Sequence, residues 1–592
     1  MTSLDLALIG NGTIGALIDA QGTIVWCCLP RFDGDPAFCS LLKDRYEGAG
    51  SFSIELLGQT RTEQQYVPDT AILQTRLYGA DGDAVEIADF CPRFDNHGTL
   101  FCPPRVVRRI SRLAGSPKIL VRLSPYASYG CALRGGVLGD NMISYGDGAG
   151  NARLSLVTNL PIAAIVDGLP YPVDTSVTLM FGSAWPPAEN LNDDYTRWYE
   201  RTESYWHAWV ESLDVPGDWR DAVVRAAITL QLNVFEETGA IIASVTTSIP
   251  EAPDSGRNWD YRYCWPRDAF FVADSLGRVG DVRTTERLLA FILGIAAATP
   301  GSSLVPLYAI DGELIPEERA APEECLDGYR GMGPVRIGNG AREQIQHDIY
   351  GEAVLTAEPL YMTSRAKWLG DELLLRRLEV LGEHAVRLHD VPDAGLWELR
   401  GSARVHTFSS VMCWAACDRL SIYSNRLGLA DRSGYWRAHA NAIRDKIMHR
   451  AWNSKLNAFT AAMDGDTLDA SLLLLPKLRF LPADDARFLG TVAAIERDLK
   501  HGDFIYRYVE RDDFGNPENA FLVCTFWYIE ALAAVGRKEE AIRLFEKVLS
   551  ARNRHGLLAE DLDPVTLEQW GNFPQTYCMA GIISCATVLS RS

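Results

Sequence analysis

Residues 521–561, FLVCTFWYIEALAAVGRKEEAIRLFEKVLSARNRHGLLAED, carry the pattern that decides the fold of this chain. Apolar residues recur every three or four positions, which predicts one helix over 518–535 and a second over 538–551. The connection between these helices is short, and a long segment that holds Glu560 follows the second helix. The unit suggested by this stretch is a helical hairpin followed by a long loop.

The same unit recurs from Asp218 to the end of the chain. Connections after the even-numbered helices are short and those after the odd-numbered helices are long, so the long loops should gather on one face of an antiparallel array. Six hairpins closed into a ring, an (α/α)6 barrel, satisfy this pattern. An open solenoid of hairpins is the alternative, although no repeat of about 30 to 45 residues is visible. The twelve predicted helices span 218–236, 267–279, 282–299, 346–364, 370–389, 409–427, 432–453, 467–478, 484–500, 518–535, 538–551 and 575–590.

The first part of the chain has a different period. Val, Ile, Thr and aromatic residues alternate with polar ones in short runs such as GTIVWCCLP, SFSIELLG and TSVTLMFG, which turn residues separate. This alternation predicts an antiparallel β-sandwich domain over 1–190. One amphipathic helix over 192–213 follows, within a helical linker assigned to 191–217, and the barrel domain is assigned to 218–592. The expected fold class is therefore a multidomain β plus α protein.

The composition excludes several classes of protein. Of the 592 residues, 47% are hydrophobic and 23% are charged, which excludes a disordered chain. The formal charge of −20 repels phosphate backbones, so no nucleic-acid partner is expected. The 15 Trp and 22 Tyr suit a neutral polyhydroxylated ligand such as a sugar, although most of them are expected to be packing residues. No metal or organic cofactor is expected, because the 13 Cys form no zinc-type cluster with His.

The sequence also gives an expectation about location. Residues 1–20 contain no Lys or Arg and so lack the basic region of a signal peptide. The longest apolar stretch, near 288–299, is too short to cross a bilayer. A soluble cytoplasmic protein with no membrane partner is expected, and the sequence is compatible with a homo-oligomer.

Two glutamates in the long loops are candidates for chemistry. Glu398, in DAGLWELRG, and Glu560, in GLLAED, are placed on the same face of the helical array. A pair of carboxylates flanking a glycosidic bond is the minimum apparatus for hydrolysing it, since one protonates the leaving oxygen and the other activates water or attacks carbon. Either glutamate alone is more simply a surface carboxylate or a helix-capping charge. Their joint placement makes the pair a candidate.

Longer motifs match a known family. The chain resembles glycoside hydrolase family 15, which contains glucoamylases, bacterial trehalases and glucodextranases. The resemblance covers nearly the whole chain, from residue 8 to residue 583, and is carried by NWDYRYCWPRDA, PVRIGNGAREQIQHDIYGEAV, GLWELRG and ENAFLVCTFWYIEAL. It implies a β-sandwich, a helical linker and an (α/α)6 catalytic barrel. The implied reaction is hydrolysis with inversion that releases glucose from the nonreducing end.

The resemblance also implies roles for individual residues. Glu398 would be the general acid and Glu560 the general base. Arg267 and Asp268 can make charge-assisted hydrogen bonds to sugar hydroxyls, although the simpler role for Asp268 is an N-cap on the second helix. Arg511 competes with Arg507 as a further sugar ligand. The implied substrate-binding residues are Trp265, Arg267, Asp268, Trp397 and Arg507.

Substrate choice stays open at this point. Trehalose, maltooligosaccharides and isomaltosides share the same nonreducing glucose and differ in the neighbouring unit. The expected lack of a secretion signal and of a granule-binding module favours trehalose or another short α-glucoside. A glucoamylase, isomaltose- or dextran-type enzyme of the same family is the alternative. A glycoside phosphorylase, which would not need Glu560, a noncatalytic sugar-binding protein and a terpene cyclase are less well supported.

Overall fold

A computed structural model describes residues 3–43, 49–137, 141–146, 152–183, 190–298, 303–363, 369–401 and 403–590. The segment 184–189, next to the expected domain boundary at 190, lies outside the described residues. So do residue 299, at the end of the third predicted helix, and residue 364, at the end of the fourth.

Two antiparallel sheets form the N-terminal part of the described chain. In the first sheet, neighbouring strands are Ala7–Gly10, Gly15–Ile18, Ile24–Leu29, Phe52–Leu56, Lys118–Leu123 and Tyr171–Pro172, and Asp35–Phe38 pairs with Ile24–Leu29. In the second sheet the order is Arg134–Val137, Met142–Gly146, Ala152–Thr158, Val177–Ser183, Arg105–Ala114, Ala84–Phe90, Leu73–Gly79 and Gln59–Tyr66. Both sheets have the antiparallel pairing that the alternating pattern predicts.

The two sheets share one apolar core. The rings of Phe38 and Phe52, from the first sheet, lie 5.1 and 6.2 Å from Phe181 of the second. A fully buried ion pair joins Arg108 to Asp89 at 2.7 Å, and Arg108 also donates to the Phe52 carbonyl across the sandwich at 2.6 Å. The ion pair lies within the second sheet, and the hydrogen bond from Arg108 to the Phe52 carbonyl ties that sheet to the first. A short helix, α1 (Ile162–Val166), lies beside the first sheet.

One long helix, α2 (Leu191–Glu211), connects the sandwich to the helical part. Its N-cap is Asn190, whose side chain accepts from two backbone N–H groups of the first turn. Trp198 packs on the sandwich, 5.5 Å from the Phe101 ring, whereas Trp206 is fully buried in the helical core. The aromatic residues at helical spacing thus serve as packing between the two parts.

The helical part contains the helices α3 to α14 in the described residues. Their bounds are α3 Arg220–Leu232, α4 Pro266–Arg278, α5 Val282–Ala298, α6 Ile349–Thr356, α7 Glu358–Met362, α8 Glu372–Leu388, α9 Thr407–Arg426, α10 Ala430–Arg450, α11 Ala486–Asp498, α12 Leu522–Ala534, α13 Lys538–Ser550 and α14 Thr576–Ser590. Short 3-10 helices lie at Ser40–Leu42, Gly340–Glu343 and Ala470–Leu474.

Six of these elements form a closed inner ring. Contacts run from α4 to α6, α9, the 3-10 helix Ala470–Leu474, α12 and α14, and α14 returns to α4. Residues around the whole circumference of α9, α12 and α14 are buried, whereas the outer helices α8, α11 and α13 bury one face only. The ring is the (α/α)6 barrel that the loop alternation predicts, and its closure rules out the open solenoid.

Two of the twelve helix predictions are wrong in detail. The eighth, over 467–478, is a short 3-10 helix at Ala470–Leu474, because Pro476 lacks the backbone N–H that would continue the hydrogen bonds of a helix. The fourth, over 346–364, is divided into α6 and α7 at Ala357. Pro359 cannot donate the hydrogen bond that would continue α6.

No described helix is long and apolar enough to cross a membrane.

The remaining strands of the described residues form short antiparallel ribbons in the connecting segments. The ribbons are Phe94–Asn96 with Thr99–Phe101, Tyr126–Ala127 with Cys131–Ala132, Arg319–Ala320 with Arg336–Ile337, Trp452–Asn453 with Ala458–Phe459, Lys500–His501 with Phe504–Ile505, and Ala520–Phe521 with Asp561–Leu562 and Gln569–Trp570.

Candidate active site

The long loops meet around one pocket at the end of the barrel. Its walls come from the segments that precede α4, α6, α9, α12 and α14, as expected if the long connections share one face. The pocket contains about 850 Å³ of empty space, including its open mouth. Glu398 and Glu560 both line it, as do Trp265, Arg267 and Asp268.

Glu398 is held in a fixed orientation at the pocket wall. Its Oε1 atom accepts hydrogen bonds from Trp265 Nε1 at 2.7 Å and from Arg267 Nη2 at 3.3 Å. Gln344 Nε2 donates to the Glu398 carbonyl at 2.9 Å and fixes the backbone. Glu398 has a φ of +61°, in the left-handed region that non-glycine residues rarely adopt. Strain of this kind persists only where neighbouring contacts hold it, and it is common in active sites.

Glu560 lies deeper, with 1% of its surface exposed. Its Oε1 atom accepts from the Tyr261 hydroxyl at 2.5 Å, whereas Oε2 has no partner among the described residues. Gly571 allows this packing, since a Cβ there would lie 2.8 Å from Oε2. The Tyr261 and Trp265 rings touch edge to face with centroids 5.4 Å apart, so adjacent aromatic donors hold the two candidate carboxylates.

A second and a third carboxylate lie next to Glu560. Burial raises the pKa of Glu560 well above its usual range, and the nearby Glu251 and Asp561 raise it further, whereas Tyr261 and Arg507 oppose the shift. Burial and Glu251 likewise raise the pKa of Asp561. Glu560 and Asp561 therefore lose their protons at a higher pH than exposed carboxyl groups do.

This acidic group is also the set of described residues whose spacing suits a metal ion. Ligand atoms of Glu251, Glu560 and Asp561 lie within 4.8 Å of one another. Both oxygens of Glu251 already accept hydrogen bonds, from Trp259 Nε1 at 3.1 Å and from Arg507. Arg507 and Arg257 both place positive charge near this acidic group.

Arg267 and Asp268 form the floor of the pocket beside Glu398. Arg267 Nε lies 3.2 Å from Asp268 Oδ1, and Nη1 donates to Gln346 Oε1 at 2.9 Å. Burial raises the pKa of Asp268 to about 6, although Arg267 opposes the shift. The N-cap interpretation of Asp268 is wrong, because α4 begins at Pro266 with Trp265 as its N-cap. Asp268 is thus a buried polar group facing the cavity.

Two more buried carboxyls support this floor from behind. Asp348 Oδ2 lies 3.9 Å from Arg267 Nη1, and Glu352 follows one helical turn later on α6. None of their four carboxyl oxygens has a hydrogen-bond partner within the described part of the chain. Burial raises the pKa of Glu352 well above its usual range, and Asp348 raises it further. The floor is therefore a charge network centred on Arg267.

The remaining candidate sugar ligands are Arg507, Arg511 and Trp397, and only two of them line the pocket. Arg507 is buried, lines the pocket and pairs with Glu251, whereas Arg511 is exposed and does not line it. Trp397 lines the pocket, but its Nε1 atom donates to Asp469 at 2.7 Å, so only its ring is available to a ligand. The structure thus selects Arg507 over Arg511 as the arginine that faces the cavity.

Sequence reasoning missed several residues of the pocket. Glu251, in SIPEAPDSG, stood in no motif, and no sequence signal marks it. Tyr261 and Trp259 lie inside NWDYRYCWPRDA, so the unusual density of aromatics in that motif was an available signal. Phe514 and Arg400 also line the pocket, from the loops that precede α12 and α9.

Comparison with family models gives two matches along the chain. Residues 217–587 match the model described as Glycosyl hydrolases family 15. Residues 4–134 match the model described as Trehalase-like, N-terminal. The first match alone covers more than half of the chain.

Individual relatives agree with these matches. The trehalase of Mycolicibacterium smegmatis is 31% identical over 99% of this chain and 91% of its own length. The trehalase of Thermoplasma volcanium is 30% identical over 99% and 93%, and trehalase 1 of Sulfolobus acidocaldarius is 31% identical over 98% and 97%. The crystal structure of a bacterial glucoamylase complexed with acarbose superposes with a TM-score of 0.68 at 13% identity, covering 100% of this chain and 95% of that one. At this identity the superposition shows that the fold is the same.

Proposed function

Because the chain belongs to glycosyl hydrolase family 15, it is a glycoside hydrolase that releases glucose from α-glucosides, and we propose that its substrate is trehalose. The observation that carries the proposal is the pair Glu398 and Glu560 on one pocket, each bound by its own aromatic donor. The trehalases that are similar over nearly their full length support the choice of sugar.

We assign the general acid to Glu398. Its Oε1 atom already receives two N–H groups, so the proton of the neutral acid sits on Oε2, the atom left to meet the glycosidic oxygen. Transfer of this proton lets the leaving glucose depart as a neutral alcohol. Trp265 and Arg267 then stabilise the carboxylate that remains.

We assign the general base to Glu560. Its Oε1 atom is taken by Tyr261, so Oε2 is the atom that removes a proton from water. The water attacks the anomeric carbon from the face opposite the leaving group, so the configuration inverts. This step requires the ionised form of Glu560. Burial, Glu251 and Asp561 raise the pKa of Glu560, and Tyr261 and Arg507 oppose that rise.

The terminal glucose is assigned to the floor of the pocket. Arg267 and Asp268 are 9% exposed each and present charged groups to the cavity. Since buried charges need polar partners, a sugar with correctly placed hydroxyls is favoured over one that leaves them unpaired. Trp265 supplies an apolar wall at 2% exposure.

A direct assay tests the proposed substrate. The purified protein is incubated with trehalose, maltose, isomaltose and soluble starch, and the glucose released from each is measured. We expect the highest kcat/KM on trehalose. Faster release from maltose or isomaltose would reassign the substrate within the family, and release from none of them would overturn the proposal.

The stereochemical course is a second expected result. If Glu560 activates water, hydrolysis of α,α-trehalose should give one β-glucose and one α-glucose, before mutarotation mixes them. Proton NMR during the first minutes distinguishes this outcome from retention, which would give α-glucose alone. A crystal structure should place the two carboxyl groups about 6.5–9.5 Å apart, and a separation near about 5 Å would contradict inversion.

Asp268→Asn should lower kcat/KM on trehalose and maltose alike, because both sugars present the same terminal glucose to the floor. Wild-type kcat/KM should fall below about pH 6, where Asp268 takes up its proton, and the variant should lose that part of the pH dependence. Steady-state kinetics from pH 4 to 8 measure both effects.

Stability provides the control for this variant. The pKa of Asp268 is raised from 3.8 to about 6 in the folded state. The free energy of unfolding therefore falls as pH rises from 3.8 to about 6, because the unfolded chain loses this proton first. The melting temperature of Asp268→Asn at pH 7 should therefore be no lower than that of the wild type. Unchanged kinetics on both sugars would remove Asp268 from the site, and a loss on one sugar would move it to the leaving-group side.

We also propose a cytoplasmic location. Ten cysteines of the described chain are buried, and none of these ten forms a disulfide. Buried thiols outside disulfides are typical of proteins from reducing compartments. Fractionation of the source cells, followed by a trehalose assay on each fraction, tests this location.

A further inference from the structure

A loop that precedes α12 closes one side of the pocket. This segment, residues 508–515, is called the latch loop below. It contributes Tyr508, Asp512, Asp513 and Phe514 to the cavity wall. It lies against the segment 395–401, which carries Glu398, so two loops that are distant in sequence form one rim.

Asp513 ties the latch loop to the segment that carries Glu398. Its Oδ2 atom accepts from the backbone N–H groups of Arg400, at 2.8 Å, and Gly401, at 2.9 Å. A Cβ at position 401 would lie 2.4 Å from Asp513 Oδ1, so a larger residue there would displace the Asp513 carboxylate. Two backbone donors on one carboxylate fix the distance between the two loops.

An aromatic and guanidinium stack covers the same junction. The Arg400 guanidinium lies over the Trp259 ring at 4.9 Å and over the Phe514 ring at 5.2 Å. Trp259 and Phe514 touch edge to face with centroids 4.8 Å apart. Glu318 Oε2 accepts from Arg400 Nη2 at 3.0 Å and holds the guanidinium in place.

A buried ion pair anchors the base of the loop. Arg257 Nη2 donates to Asp512 Oδ1 at 2.5 Å and to the Gly515 carbonyl at 2.8 Å. The side chains of Arg257 and Asp512 are 6% and 7% exposed. Arg257 therefore ties both sides of the turn 512–515 to the body of the barrel, and Asp513, between them, contacts the Glu398 segment.

The position of this rim relative to Glu398 gives its role. Trp265, Arg267 and Asp268 lie on the side where the terminal glucose is assigned. Arg400, Trp259 and Phe514 line the same pocket as Glu398, outside that set, and are therefore assigned to the side of the leaving sugar. Aromatic rings beside a guanidinium suit the apolar face and the hydroxyls of a pyranose.

We propose that the latch loop limits the leaving group to a single sugar unit, with Asp513 and Phe514 as specificity-determining residues. This inference rests on the proposed function, because it concerns the leaving-group side of the same pocket. In this proposal the two hydrogen bonds from the Arg400 and Gly401 backbone to Asp513 close the rim in the direction in which a third glucose unit would extend. The pocket thus selects disaccharides over longer α-glucosides.

The test compares substrates of different length in matched variants. Rates of glucose release from trehalose, maltose and maltotriose are measured for the wild type, Asp513→Ala, Asp513→Asn and Glu510→Ala. The wild type should prefer each disaccharide over maltotriose, and Asp513→Ala should reduce the preference for maltose over maltotriose by about tenfold, mainly through a lower KM for maltotriose. Asp513→Asn keeps an oxygen that accepts from both N–H groups and should preserve most of the preference. Glu510, an exposed acid of the same loop that does not line the pocket, is the control and should change nothing.

Two outcomes would overturn the inference. One is that the wild type has equal kcat/KM values on maltose and maltotriose. The other is that Asp513→Ala folds and keeps the wild-type ratio of kcat/KM on maltose to kcat/KM on maltotriose. If Asp513→Ala does not fold, Phe514→Leu replaces it with the same expected loss of preference, and an unchanged ratio in that variant would equally overturn the inference. Absence of wild-type hydrolysis of every α-glucoside would instead refute the proposed function, so the two failures are distinguishable.

Discussion

Glu398→Gln should lower kcat on trehalose by about 10²–10⁴, the usual contribution of a positioned general acid. The amide oxygen can still accept from Trp265 and Arg267 as Oε1 does, so the side chain should keep its place. What the variant lacks is the proton on Oε2, which the departing glucose needs. The melting temperature should stay close to that of the wild type, since shape and hydrogen bonds are retained.

The leaving group provides the control for this prediction. The fluoride ion of α-glucosyl fluoride leaves without being protonated. Hydrolysis of this substrate by Glu398→Gln should therefore be impaired far less than hydrolysis of trehalose. Glu510→Gln, at an exposed position outside the pocket, should behave as the wild type on both substrates. An equal loss on trehalose and on the fluoride would show that Glu398 is not the acid, as would near-normal turnover of trehalose.

The barrel could be predicted from sequence because loop length alternates strictly along the chain. An antiparallel ring requires this alternation, and the period survives errors of a few residues at each helix end. The prediction of the eighth helix was wrong because hydrophobicity alone does not give the length of a buried helix, and the Leu-rich run 472–475 is equally compatible with a short and a long one. Pro476 was the signal that limited this run to a short 3-10 helix.

The candidate site could be predicted only in part. Trp265, Arg267 and Asp268 are consecutive or nearly so, and their motif carries them together into the pocket. The partner of Glu560 could not be found in this way, because Tyr261 lies 299 residues from it in sequence. Glu251 and Arg507 are 256 residues apart and neither stands in a shared motif. Such pairs are fixed by the closure of the ring, which spacing along the chain does not show.

The backbone of Glu398 is a further feature that sequence does not reveal. A left-handed glutamate is unfavourable by about 1–3 kcal/mol, so it must be held by its surroundings. Here the Gln344 side chain and the two donors to Oε1 hold it. The unfavourable backbone conformation of Glu398 is therefore maintained by the same contacts that orient its carboxyl group.

Glu560→Gln should lower kcat by about 10²–10⁴ on trehalose and by a similar factor on α-glucosyl fluoride. Water must be deprotonated whichever group leaves, so an activated leaving group cannot compensate for the missing base. This lack of rescue separates the base from the acid, for which the fluoride restores activity. Parallel assays of Glu398→Gln and Glu560→Gln on the two substrates measure the difference.

The pH dependence of the wild type gives a second check on the base. Because burial, Glu251 and Asp561 raise the pKa of Glu560, wild-type kcat should decline on the acidic side at a higher pH than an exposed glutamate would dictate. Tyr261→Phe removes a hydrogen bond that favours the ionised form, so this decline should move to still higher pH while activity persists above it. A Glu560→Gln variant that is rescued by the fluoride, or a Tyr261→Phe profile that does not move, would place the base elsewhere, since no other described side chain donates to Glu560 Oε1.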